Sequence, residues 1–265
     1  MNKKTDIPAP QVIVSLTSFP AAIPYAVQAI RTILKGLLLP DKVVLYLDTQ
    51  KFPGGVLPAE LEELKAENPI FEVRFSPDEI RSYKKLIPAL KDFPNDVIVT
   101  IDDDICYPAE LLRDLMRLHK QLPDAIIAHR VRRIKLNAPY RKWRKYKWYD
   151  FIFRRHHFSH LAMQTGVGGV LYPPHSLDEK MLDPTLFMAL APTTDDVWFW
   201  AAAVSRGTYV VPLPGGKSRC VEVGKPVEFS LKKINISSGN DRNRETLERI
   251  LEEYPHIKRR VENGK

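Results

Sequence analysis

The chain has 265 residues, 44% of them apolar and 27% charged, proportions that exclude a disordered or fibrous protein and leave enough chain for a substantial core. No run approaches the roughly 18 apolar residues of a membrane span, and the lysines near the N-terminus have no apolar stretch behind them, so neither a spanning helix nor a secretory leader is expected. The net charge is +8, and Cys106 and Cys220 are too few for a disulfide framework or a four-cysteine zinc site, which suits a reducing, cytoplasmic setting.

In chain order, Gln11–Leu16 reads as a buried strand, and Ala22–Leu34 as a helix with apolar residues at Ile23, Val27, Ile30 and Ile33 that stops near Gly36. Lys42–Leu47 is a second strand, Pro58–Glu67 an acidic helix and Phe71–Phe75 a third strand. Arg81–Lys91 reads as a helix interrupted or started by Pro88, and Asp96–Ile101, apolar on both faces, as a central strand of a parallel sheet. Pro108 is expected at the first position of a helix over Ala109–Gln121, after which Ala125–Ala128 resumes the sheet. Beyond Arg130 the pattern is irregular until the strand-like Gly166–Tyr172, a helix over Asp195–Ser205, a strand at Thr208–Val211 and a last clear helix at Arg242–Glu253. Repeated strand–helix units imply an α/β, doubly wound, mainly parallel sheet with its ligand crevice beyond the C-terminal strand ends. With no repeat and no flexible linker, residues 1–265 read as one domain: a regularly alternating half over about 11–128 and an irregular half over about 129–265.

The sharpest chemical feature is Asp102-Asp103-Asp104, directly after the apolar run of the expected central strand. Three adjacent carboxylates repel one another, and a divalent cation is the simplest reason for them; an acidic turn capping the next helix is the alternative. If strand geometry persisted, Asp102 and Asp104 would share a side and hold a hard ion such as Mn²⁺ or Mg²⁺, leaving positions open for phosphates. A second pair, Asp195-Asp196, opens a helix behind Thr193 and Thr194, where a capping box would account for it equally well.

An Asp-x-Asp after the fourth strand, with VSLTSFP, RSYKKLIPAL, VIVTIDDDI, GVGGVLYPP and TTDDVWFW in that order, resembles the GT-A fold of nucleotide-sugar glycosyltransferases, of the bacterial O-antigen and capsule type. The resemblance spans about Gln11 to Ser205. It implies a nucleotide diphosphate sugar as donor, UDP favoured, a glycan or lipid-linked oligosaccharide as acceptor, and Mn²⁺ or Mg²⁺ on Asp102 and Asp104. It implies donor contacts from Thr17, Ser18, Asp48, Arg81, Lys84, Lys85, Asp102, Asp103, Gly168 and Gly169, with Lys84 ahead of Lys85 as the cation facing the diphosphate. It also implies Asp196 as the base of an inverting reaction, Asp195 orienting acceptor or metal, and Trp198 as an acceptor platform. Plain alternatives stand beside these: a turn or cap at Thr17 and Ser18, solvated lysines, a glycine bulge, and tryptophans that belong to the core. No histidine completes the metal set, because His256 lies beyond the last clear helix.

Between Arg130 and Arg155 eleven Lys or Arg face a single acid, Asp150, leaving the rest of the chain slightly acidic. Aromatic residues are interleaved with these cations. Docking on the anionic inner face of the cell membrane, nucleic-acid binding, or a solvated loop whose rings pack inward would each account for 130–155, and nucleic acid leaves both acidic pairs unexplained. Segment 130–160 exceeds what a minimal transferase needs and suits an acceptor or docking insertion. The enzymatic alternative is a two-metal phosphohydrolase or nucleotidyltransferase, which would need further carboxylates at neighbouring strand tips.

Overall fold

The structure, a computed structural model, describes residues 9–147, 158–213, 220–224, 235 and 241–263. The first half alternates as expected: β1 (Val12–Thr17), α1 (Ile23–Leu34), β2 (Lys42–Asp48), α2 (Ala59–Glu67), β3 (Phe71–Ser76), α3 (Ile87–Asp92), β4 (Val97–Thr100), the short β5 (Ile105–Cys106), α4 (Leu111–His119) and β6 (Ile126–Ala128). The second half adds β7 (Val131–Arg133), β8 (Arg144–Lys145), β9 (Ala162–Gln164), β10 (Val170–Tyr172), α5 (Pro184–Leu190), α6 (Asp195–Arg206), β11 (Val210–Pro212), β12 (Val221–Glu222), α7 (Arg242–Glu253) and α8 (Pro255–Asn263).

A seven-stranded sheet in the order β11-β6-β10-β4-β1-β2-β3 runs through both halves. Its strands alternate between two cores. Ile13, Val44, Tyr46, Ile98, Val170 and Tyr172 face one layer with α3, α5, α6, α7 and α8. Val14, Leu16, Val43, Leu45, Val99 and Leu171 face the other, with α1, α2 and α4. Burial on both faces explains why these strands read as unbroken apolar runs.

β4 is central, but only its β1 edge is parallel. β10 lies against its other edge antiparallel, with Val170 opposite Thr100. That reversal brings Gly166–Gly169, which precede β10, to the C-terminal end of β4, where Asp102–Asp104 also lie. Where the sequence is irregular, β7, β8 and β9 form a small sheet in the order β8-β7-β9.

Several local expectations change. Arg81–Lys91 is two pieces, a 3-10 turn at Arg81–Lys85 and α3, whose first turn holds Pro88. Pro108 sits in a turn ahead of α4 rather than at its first position, its carbonyl accepting from the Leu111 N–H at 3.0 Å. Two helices, α5 and α8, appear where none was expected; each opens on proline, Pro184 and Pro255, which fits a first turn where no N–H is needed. Among the described residues no helix is long and apolar enough to cross a membrane.

Candidate active site

The carboxylates gather around one lysine. In RSYKK, Tyr83 is fully buried, stacks on Phe187 at 4.1 Å and donates its hydroxyl to the Ala191 carbonyl at 2.7 Å. With that ring anchored, the two lysines after it diverge. Lys84 Nζ lies 2.8 Å from Asp48 Oδ2, whereas Lys85 Nζ lies 3.1 Å from Asp102 Oδ1 and 3.0 Å from Asp195 Oδ2. Lys85 therefore joins the end of β4 to the start of α6. Burial favours loss of its proton, but Asp102, Asp195 and Asp196 together outweigh this and hold the ammonium well above the ordinary lysine value.

Gly166 is the third member of this junction. A Cβ there would stand 2.7 Å from Lys85 Nζ and 3.0 and 3.2 Å from the two Asp102 carboxylate oxygens, so no side chain fits. Its N–H donates to Asp196 Oδ1 at 3.0 Å, and Gln164 Nε2 donates to the Asp196 carbonyl at 3.4 Å. Asp195 is buried and Asp196 keeps a partial opening. Burial and then the negative charge of Asp195 push Asp196 up to about 7, with Asp102 adding to the effect; Lys85 and the Gly166 N–H pull the other way. Asp196 is thus a half-buried residue whose carboxyl is poised near neutrality and held by a backbone donor.

The Asp102–Asp104 loop departs from the strand geometry expected of it. β4 ends at Thr100, and Asp103-Asp104 form a turn into β5, so alternation along a strand does not set which carboxylates share a side. The Asp102 N–H donates to Tyr107 Oη at 2.8 Å, Asp103 Oδ2 accepts from Ser18 Oγ at 2.6 Å, and the Asp104 carbonyl accepts from the Val223 N–H at 2.9 Å. Each residue of the triplet is tied to a different element, and through Ser18 the loop after β1 belongs to the same assembly.

Other expected contacts are taken up internally. Thr17 Oγ1 donates to the Tyr46 carbonyl at 2.8 Å. Asp48, 1% exposed, accepts from Lys84 and from the Gln50 N–H at 2.8 Å, so neither Asp48 nor Lys84 is open to a nucleotide. The cation beside the carboxylate loop is Lys85, a reversal of the expected order. Trp198 is corrected as well. It has no exposed surface, donates Nε1–H to the Met181 carbonyl at 2.7 Å and packs edge-on to Phe187 and Tyr254, so it is core rather than a sugar platform. Thr194 precedes α6 but makes no side-chain cap; its hydroxyl pairs with Thr246 at 2.9 Å. Arg81 is exposed at the rim with φ of 50°, a left-handed conformation that strains a residue bearing a Cβ. Gly168 and Gly169 take φ of 109° and 86°, which only glycine adopts without penalty. The sequence singled out neither Tyr107 nor the roles of Gln164 and Gly166.

The donor set suits a hard divalent cation, since it is all oxygen and one ammonium faces three carboxylates. Among the described residues no group of three or more metal-ligating side chains gathers to hold such an ion. His256 is not available to it: its Nε2 lies 2.8 Å from Ser205 Oγ at the far end of α6. A separate cavity of about 580 Å³, lined by Leu122, Phe158, His175, Arg206 and Tyr209, opens at the opposite end of the sheet and contains none of these carboxylates.

In the described part of 130–155, the rings turn inward. Trp143 is 1% exposed and Tyr140 and Tyr146 are half-buried, while Arg133, Lys135, Arg141, Lys142, Arg144, Lys145 and Lys147 are exposed. Trp148–Arg155 lie outside the described residues apart from their sequence.

No protein-family model and no curated protein matches this sequence. Among solved structures, the mannosyltransferase PcManGT from Pyrobaculum calidifontis, in complex with GDP-Man and Mn²⁺, is similar over 97% of this chain and 75% of its own, with a TM-score of 0.52 and 13% identity. At that identity the likeness speaks for architecture. With the sheet order above, the chain has a GT-A-like, Rossmann-type α/β fold.

Proposed function

We propose that this protein is a metal-dependent, inverting glycosyltransferase that moves a sugar from a nucleotide diphosphate sugar to a hydroxyl of a glycan or lipid-linked acceptor during assembly of a bacterial surface polysaccharide. The observation that carries this reading is the meeting of Asp102 and Asp195 on Lys85, with Asp196 held beside them by Gly166. One carboxylate loop and one candidate base then face the same space at the C-terminal strand ends, where open α/β sheets bind ligands.

In this reading Asp104 and Asp102 would hold Mn²⁺ or Mg²⁺ beside the donor diphosphate, where such an ion would neutralise charge on the leaving group. Asp196 takes the proton of the acceptor hydroxyl. The hydroxyl oxygen bonds to the anomeric carbon from the opposite face while the bond to the diphosphate oxygen breaks, its electron pair leaving with the nucleotide. Lys85 keeps Asp102 and Asp195 apart in charge and fixed in position. Arg81 reaches the diphosphate from the rim, Gly168 and Gly169 let the donor approach the backbone, and Ser18 with Asp103 shapes the nucleotide loop. PcManGT carries GDP-Man and Mn²⁺, so GDP stands beside UDP as a nucleotide to screen. The exposed cations of 133–147 suit the anionic inner leaflet, which would keep the enzyme near a lipid-linked acceptor.

Calorimetric titration of UDP, GDP and CMP with and without Mn²⁺, repeated on Asp104→Ala, tests the reading. Metal-dependent binding of UDP or GDP that disappears in the variant is expected. Absence of metal-dependent binding for every nucleotide would sink it.

A further inference from the structure

The cavity at the far pole of the sheet has no part in the transfer reaction. Residues 123–125 lead into β6, 208–209 lead into β11, and 174–176 leave the antiparallel β10, so these loops meet at the pole opposite the carboxylates. Arg206 joins them from the last turn of α6, the helix whose first turn carries Asp195 and Asp196. Roughly 15 Å of helix, at the usual rise per residue, separates Asp196 from Arg206.

Two aromatic rings stand open at this cavity. Phe158 is 55% and Tyr209 38% exposed, and their ring centres are 5.5 Å apart. Tyr209 is held from behind. The buried His160 ring stacks on it at 4.4 Å, the His160 carbonyl accepts from Trp200 Nε1–H at 2.8 Å, and the Tyr209 carbonyl accepts from the Ile126 N–H at 3.0 Å. Tyr209 is thus a fixed ring with apolar surface left open.

Polar groups with unused capacity line the same cavity. Ser176 is 5% exposed, and its Oγ has no hydrogen-bond partner. Arg206 donates Nε–H to the His175 carbonyl at 3.2 Å, which fixes the guanidinium; among the described residues that group stands in no ion pair. His175 takes φ of 56°, a strained backbone of the kind that clusters at ligand sites, and its Nε2 lies 3.1 Å from Asn95 Oδ1. Asp124 is exposed on the wall.

This mixture selects a class of ligand. An anion calls for several cations, and here one guanidinium shares the cavity with the Asp124 carboxylate. An apolar ligand would leave the Ser176 hydroxyl without a partner. A sugar meets both demands: its C–H face lies on an aromatic ring, and its hydroxyls, each donor and acceptor, pair with the guanidinium, the carboxylate and the serine. The volume of about 580 Å³ is within the range of clefts that bury small ligands.

We propose that Phe158, Tyr209, Arg206 and Ser176 form a carbohydrate-binding site, distinct from the active site, that holds a stretch of the glycan acceptor remote from its reacting hydroxyl. The carbohydrate follows from the cavity; its identity as acceptor rests on the transferase reading and deepens it. Holding the chain at a second point raises the local concentration of its reacting end, so long acceptors gain over short ones.

The test is saturation-transfer NMR and calorimetry on the full chain with linear oligosaccharides of glucose, mannose, galactose and rhamnose. Saturable binding of at least one is expected, weakened about tenfold by Phe158→Ala and by Arg206→Ala. Both side chains are exposed, and thermal unfolding curves check that each variant folds. Binding that either substitution leaves unchanged, or no binding of any of these sugars, overturns the site. Inorganic phosphate displacing the sugar makes it an anion site and overturns it equally. Metal-dependent nucleotide binding on the same sample separates the two readings. If it is present without oligosaccharide binding, this site alone is wrong; if it is absent while the sugar binds, the site stands and its acceptor role falls with the transferase reading.

Discussion

Asp196, Lys85 and Asp48 show three fates for a charge in one fold. Asp196 is held by the Gly166 N–H, so Asp196→Asn keeps the shape and removes the proton acceptor. Transfer should fall by about 10²–10⁴, the usual worth of a positioned base, while metal-dependent nucleotide binding stays; steady-state kinetics beside calorimetry checks this. Lys85 is buried between two carboxylates. Replacing it with Met strands them, and a loss of about 3–5 kcal/mol in urea unfolding is expected. Asp48 is the acid-sensitive member. Burial works against its charge, but hydrogen bonds from Lys84 and the Gln50 N–H prevail and hold it well below the ordinary carboxylate range. Its folded pKa is depressed, so its stabilisation is complete above the unfolded value of about 4 and is lost as pH falls toward the folded one. The stability gap between wild type and Asp48→Asn should therefore be widest near neutrality and narrow steadily below about pH 4; denaturant midpoints across pH measure it. The acidic pairs were legible from residue type and position. Lys84 and Lys85 were not separable, because neighbours in a short 3-10 turn point apart and the anchored Tyr83 ring decides which faces Asp102.

At the scale of elements, α6 carries two duties. Its first turn supplies Asp195 and Asp196, and its body from Val197 to Ser205 is buried. The sequence offered Trp198 as a sugar platform because an aromatic two residues after a candidate base suits either role, and only the packing of α5, α6 and α7 decides between them. Trp198→Phe deletes the donor to the Met181 carbonyl and part of the fill, so about 1–3 kcal/mol of stability should go while the KM for acceptor is unchanged. β10 shows the converse. Its glycines read as a loop near ligand, but the antiparallel insertion beside β4 was not visible, since strand direction leaves no trace in a three-residue apolar run. Gly166→Ala should lose both transfer and stability, because the Cβ displaces Lys85 and Asp102 from their buried pairing; a lowered thermal unfolding midpoint together with strongly reduced kcat is the expected pair of results.

For the whole molecule, exposed cations are concentrated in 133–147 on a chain that is otherwise slightly acidic. Binding to vesicles containing phosphatidylglycerol should fall as salt rises and should weaken when Arg141, Lys142, Arg144 and Lys145 are changed to Gln, each contributing about 1 kcal/mol at low salt. Composition, strand–helix alternation and the carboxylates after the fourth strand were enough to determine the α/β class and the doubly wound sheet, and to single out the strand end where the carboxylates gather. Those features are local, set by side-chain period and by the cost of placing charge at a strand end. The partners of each charge depended on the tertiary structure: Lys85 rather than Lys84 at the carboxylates, Trp198 in the core, Arg132 against Tyr140. Such pairings join residues distant in sequence, as Asp102 meets Lys85 and Gly166 meets Asp196, and they exist only once the sheet and helices have packed.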